Sequence, residues 1–211
     1  MSNALTDDVY SQLEGAPLQQ MAQQLGIGPA QMAGAVSAAL PLLLGALGRN
    51  TSQPQGAEAL FGALQKDHAG LDIGSVLGAV LGGGAAQGDG GKILGHVFGG
   101  QQPRAEQALG QATGLGGDRA GMLLKMLAPI VLAYLAKHMF ERRQAGAGNA
   151  GAATPQVLGE VLGQEQQRVS QQGGLGSGVL GAVLDQDGDG QLGLGDLLKI
   201  GGGLLGGGGR R

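Results

Sequence analysis

The chain has 211 residues and a net charge of −3; 14 % of residues are charged, 42 % are hydrophobic, 46 are Gly, and there is neither Cys nor Trp. Without Cys there is no disulfide, thiolate metal site or thiol nucleophile, and the glycines show no collagen period. The apolar content is too high for a disordered chain, and neither sign of charge dominates, so the basic excess of a nucleic-acid-binding protein is missing.

The first ten residues, MSNALTDDVY, carry two Asp and no Lys or Arg. That is not the basic-then-apolar order of a secretory signal, and the expected location is the cytoplasm. A short helix is expected around Leu18–Gln24, then a turn at Leu25-Gly26-Ile27-Gly28, then a long apolar helix containing Pro41 and running to Leu47. Met32–Gly48 is free of charge, but it falls short of the ~20 residues that span a bilayer. It reads as a buried core helix. The segment Leu18–Ala33 echoes a helix-turn-helix, with Ala22 in the first helix and Gly26 at the turn. Residues 1–48 hold no Lys or Arg, however, and Gln31 alone cannot supply phosphate contacts. A tight αα-hairpin is expected instead, with no nucleic-acid partner.

The same pattern returns 88 positions on. Thr113-Gly114-Leu115-Gly116 leads into an apolar run that carries Pro129, as Pro41 sits in the first. Within Met122–Phe140 the residues Leu123, Met126, Leu127, Ile130, Val131 and Tyr134 recur at helical spacing. Each proline should kink its helix. A second echo repeats Val76-Leu77-Gly78-Ala79-Val80-Leu81 as Val179-Leu180-Gly181-Ala182-Val183-Leu184. The chain thus divides into two diverged halves, near 16–100 and 104–205, with an insertion at Gln144–Ala153. Thr154-Pro155 then reads as a cap and first helical position, opening a mostly polar helix over Gln156–Gln172. No window alternates like a strand. The expected fold is all-α: two diverged helical-hairpin repeats with Gly-rich turns, plus a C-terminal loop. Gly45, Gly62, Gly78 and Gly181 fall inside expected helices, where each costs up to about 1 kcal/mol relative to Ala. Close approach of neighbouring helices would offset that cost.

The C-terminal loop holds the strongest chemical motif. Asp185, Asp187 and Asp189 occupy positions 1, 3 and 5; Gly190 follows at 6, Gln191 at 7, Leu192 at 8 and Asp196 at 12. This resembles an EF-hand calcium loop. A hard divalent cation needs six or seven oxygens, and alternate residues of a tight loop aim theirs inward. Gln191 would donate its backbone carbonyl, and Asp196 would close the shell from the first turn of a following helix. Asp at position 12 is shorter than the usual Glu, which favours Mg²⁺ relative to Ca²⁺. Gly193 at position 9 leaves that corner to water. EF-hands usually pair, and the stretch Gly82–Gly90 in the first half offers Asp89 as its one carboxylate, so no second loop exists there. The competing reading of the same residues is a capped Gly/Asp turn without an ion.

Enzyme motifs are missing. His68, His96 and His138 show no motif spacing, G-x-S-x-G does not occur, Gly91-Lys92 lacks the rest of a P-loop, and the G-x-G-x-x-G at Gly176–Gly181 follows no strand. The residues from Gly114 through Leu127-Ala-Pro129-Ile-Val-Leu-Ala-Tyr-Leu-Ala-Lys137, with Lys92–Gly100 upstream, resemble the YidB-like group of bacterial proteins of unknown function. That resemblance implies a helical, cytosolic bacterial protein and supplies no catalytic residues. The expected organisation is a helical YidB-like domain over 1–145, a flexible linker and polar helix over 146–173, an EF-hand-like segment over 174–205, and a disordered Gly/Arg tail over 206–211. The expected function is a non-enzymatic interaction or scaffold protein that forms homo-oligomers and binds Ca²⁺, or alternatively Mg²⁺, through Asp185, Asp187, Asp189, Gln191 and Asp196. Its protein partner is not legible. A calcium-responsive regulator is the alternative reading. Peripheral membrane attachment through Met32–Gly48 and Arg210-Arg211 is a further one.

Overall fold

Two helices form the centre and the others wrap them. The computed structural model describes residues 5–67, 73–82, 86–144 and 153–172, and their regular structure is entirely helical, as the sequence leads one to expect. α1 (Leu5–Leu13) and α2 (Ala16–Leu25) lead into α3 (Pro29–Thr51). Next come α4 (Pro54–Asp67), α5 (Ile73–Leu81) and α6 (Ala86–Phe98). One 3-10 turn, Gly99–Gln101, joins α6 to α7 (Gln102–Thr113), and α8 (Gly117–Gln144) and α9 (Pro155–Gln172) follow.

Local chemistry sets the helix ends. Gly26 closes α2 with a left-handed φ of 63°, and the Ile27 N–H reaches back to the Ala22 carbonyl at 3.0 Å. That bond serves one of the carbonyls a helix end leaves without a partner. Pro29 then begins α3, where its missing N–H costs nothing. The α7–α8 junction follows the same scheme: Gly114 is left-handed at φ 69° and Leu115 is buried beside it. α9 starts as its sequence implies. Thr154 Oγ1 accepts the Val157 N–H at 3.2 Å, and Pro155 is the first helical residue.

The centre is α3 and α8. Every residue from 38 to 48 and from 126 to 133 is buried. A helix that is apolar all round has no face to give to water, so it must be enclosed. α3 packs on α1, α2, α4, α6, α7, α8 and α9, and α8 packs on α2 to α7. By length and composition alone both could cross a membrane, but 72 % and 78 % of their most apolar windows are buried inside the fold. Met32–Gly48 is a core segment here. α9, although mostly polar, turns Leu158 and Leu162 into the same core.

Both prolines lie within continuous helices. Pro129 cannot donate to the Lys125 carbonyl one turn back. Gly90 of α6 lies directly against that carbonyl, so closely that a Cβ on Gly90 would collide with it. Gly56 of α4 meets the Asn50 carbonyl in the same manner, and Gly110 of α7 meets the backbone of Gly116. These glycines make the close approaches. The expectation for Gly62 and Gly78 is corrected: nothing lies within 4 Å of a Cβ at either. Both sit in helices, but on outward faces, and helical membership does not say which way a residue points.

Three hydrogen bonds tie the first helix to the last two. Glu165 of α9, only 2 % exposed, accepts the Thr6 N–H at 3.0 Å and the Thr6 hydroxyl at 2.7 Å. It thereby serves the first turn of α1 across 159 residues of sequence. Asp8 accepts the Tyr134 hydroxyl of α8 at 3.1 Å.

The glycine contacts predict opposite signs for one chemical change. Gly62→Ala should stabilise the protein by about 0.5–1 kcal/mol, the ordinary helical gain. Gly90→Ala should destabilise it by about 1–3 kcal/mol, because α6 must move off α8. Urea unfolding of the two variants checks this, and equal effects would refute the backbone contact.

Candidate functional site

The expected cation ligands Asp185, Asp187, Asp189, Gln191 and Asp196 lie outside the described residues, as do Gly181 and the echo Val179–Leu184. Among the described residues, no three His, Asp or Glu side chains converge to hold a metal ion. His68 is also outside them. His138 stacks on Tyr134, with ring centroids 6.1 Å apart and planes 11° from parallel. His96 stands on α6, at a cavity.

That cavity, about 450 Å³, lies between the end of α3 and the junction of α6 with α7. It arises from how α3 leaves the core. The last turn needs acceptors' partners for its carbonyls. Ser52 Oγ donates to the Arg49 carbonyl at 2.6 Å, and Thr51 Oγ1 donates to Gly48 at 3.1 Å. Asn50 Nδ2 donates to the His96 carbonyl at 3.0 Å, which pins α3 to the last turn of α6. Gly56 backs Asn50 from the other side. The walls are therefore fixed by hydrogen bonds and close packing. Gly99, with φ 55°, reverses the chain at the end of α6 and brings Gln101 to the cavity.

Its floor is apolar, built from Leu42, Ala46 and Phe98. Arg49 Nη1 donates to Gln101 Oε1 at 3.5 Å, the outer limit of such a bond. Arg49 is exposed as a residue, and the partial burial of its guanidinium lowers its pKa from the ordinary value, since removing water disfavours the charged form. No carboxylate lines the cavity, and its two ionisable side chains, Arg49 and His96, are both basic. The arrangement is rich in donors and holds no nucleophile paired with a base.

A second hollow, about 460 Å³, lies by Gln24, Leu25, Met122, Lys125 and Met126. Met122 is exposed, and Gln24 donates to the Leu81 carbonyl of α5 at 2.6 Å. The Arg49 cavity is not legible in the sequence. Arg49 reads there only as the first basic residue after an apolar run, and His96 as a surface or partly buried histidine without motif spacing.

A sequence family described as "Bacterial protein of unknown function (DUF937)" matches residues 7–138, more than half of the chain. The matched span runs from α1 to near the end of α8. Neither a curated protein nor a solved structure matches the chain.

The Asn50 bond is testable by itself. Asn50→Ala should cost about 1 kcal/mol of stability, and its amide shift changes should centre on residues around His96 and Gln101. Changes spread evenly over the core helices would contradict the local role.

Proposed function

The chain belongs to the DUF937 family of bacterial proteins of unknown function, and we propose that it is a non-enzymatic helical interaction protein that binds one divalent cation through a C-terminal EF-hand-like loop. The carrying observation is the spacing of Asp185, Asp187, Asp189, Gly190 and Asp196. Oxygen donors at loop positions 1, 3, 5 and 12, with Gly at 6, are what a Ca²⁺ shell requires. Four carboxylates within twelve residues also repel one another until a cation neutralises them. No other motif in the chain is complete at its chemically necessary positions.

Membership of the YidB-like group is the finer part of this reading, resting on the Gly114–Lys137 motif. So is the internal duplication. α2 with α3 and α7 with α8 share the left-handed Gly, the internal Pro and burial at positions 88 apart, such as Met21 and Leu109 or Leu43 and Val131. α4 and α9 both open on Pro-Gln, at Pro54 and Pro155. Self-association, the scaffold role and work in the cytoplasm belong to the same proposal. Sparse charge supports association, because a surface with few like charges offers little repulsion between copies.

Calorimetry on the full chain tests the cation site. One Ca²⁺ should bind per chain, and Asp187→Ala should abolish the heat. Asp196→Glu should favour Ca²⁺ over Mg²⁺, because the longer carboxylate reaches bidentate geometry. Absence of Ca²⁺ or Mg²⁺ uptake at millimolar levels would end the proposal. Sedimentation with Ca²⁺ or with chelator tests association, and a strict monomer at all concentrations would remove that part.

A further inference from the structure

We infer that the cavity at the end of α3 is a binding site for a small oxyanion, a phosphate or carboxylate head on a short apolar body, with the Arg49 guanidinium taking the head. This site is separate from the cation loop and does not depend on it. Three observations point to it. The first is charge: Arg49 and His96 are the ionisable side chains of the cavity wall, and no carboxylate lines it. The second is the state of Arg49. Arg49 is exposed on the cavity rim, and among the described residues its partner is the neutral Gln101 oxygen at 3.5 Å, with no carboxylate in the lining to pair it. A planar fork of donors with one long neutral contact is matched by an oxyanion, which accepts two parallel bonds. The third is shape. The volume of about 450 Å³ exceeds a bare phosphate, and Leu42, Ala46 and Phe98 offer an apolar floor behind the charged rim. Apolar walls with a few fixed polar groups are the usual make-up of a small-molecule site. Asn50, held on the His96 carbonyl, keeps the rim in place before any ligand arrives.

The competing explanation is purely structural. α3 and α6 both end here, and a cation near a helix C-terminus is stabilised by the exposed carbonyls. Arg49 and His96 would then serve only those ends.

The two explanations separate under titration of the full chain, followed by backbone amide shifts at matched ionic strength. The probes are inorganic phosphate, n-butyl phosphate and pentanoate. Saturable shifts are expected at residues 46–53 and 96–102. Binding of n-butyl phosphate should be several-fold tighter than that of inorganic phosphate. Comparison with pentanoate decides between a phosphate and a carboxylate head. Arg49→Gln should weaken binding at least about tenfold, the loss expected for a charge-assisted pair. Arg49→Lys, which keeps the charge and loses the fork, should fall between and serves as the test if Arg49→Gln does not fold. If no probe saturates, or if Arg49→Gln and Arg49→Lys bind like the wild type, Arg49 only complements the helix ends and the inference fails. Equal binding of the two phosphates would overturn the apolar body of the ligand.

Discussion

A carbonyl left without its helical donor by a proline has to be met by something, and in this protein the answer organises a whole helix contact. Pro129 leaves the Lys125 carbonyl without its helical donor, on a half-buried turn of α8. Gly90 brings the backbone of α6 against it. The Cα–H of a glycine can face such an oxygen at short range, a weak bond that no residue with a Cβ could make at this distance. The matching Pro41 strands the carbonyl of Ser37, but Ser37 is exposed, so solvent serves the same need. The high glycine content therefore has a specific meaning at a few positions. Helices whose cores are Leu, Ala and Val, with almost no rings to hold them apart, close until backbones touch. Glycine is needed where they do.

Enclosure of α3 and α8 also explains why α1 and α9 carry buried polar bonds. A ring of short helices around two apolar ones has many ends, and every end has unpartnered N–H or C=O groups. Glu165 meets the first turn of α1, Thr154 caps α9, and Ser52 and Thr51 serve the end of α3. Long-range polar contacts here are mostly side chains attending to helix ends. Ion pairs contribute little, as Lys92 and Asp89 illustrate on the surface.

What can be read directly from the chain follows this division. Local signals survive: Gly26 and Gly114 as left-handed stops, Pro29 and Pro155 as first residues, Thr154 as a cap, and the apolar register of α8. α6 escapes such reading because Gly88, Gly90 and Gly91 in its first turns argue against a helix by propensity. Packing against α8 overrides them. Gly62 and Gly90 look alike in sequence, and only the facing helix tells them apart. The Asp185–Asp196 motif is legible because the ligands of an ion loop are local in sequence. The Arg49 cavity is not, because Asn50 and His96 are 46 residues apart and meet only once α3 and α6 are docked.

The chemistry of that cavity follows from the composition of α3. No charged residue stands between Glu14 and Arg49, since α2 and the core run of α3 need none. Arg49 is therefore the first charge on the chain as α3 emerges, and no carboxylate lies nearby in sequence to answer it. Across the cavity the α6–α7 junction brings the amide of Gln101 rather than an acid. A cation delivered to a partly apolar hollow with no carboxylate in its lining keeps its bonding capacity for something from outside. Pairing Arg49 internally would take a single acidic residue at Gln101, a conservative change in size. Gln101→Glu should thus stabilise the junction and at the same time close the cavity to oxyanions.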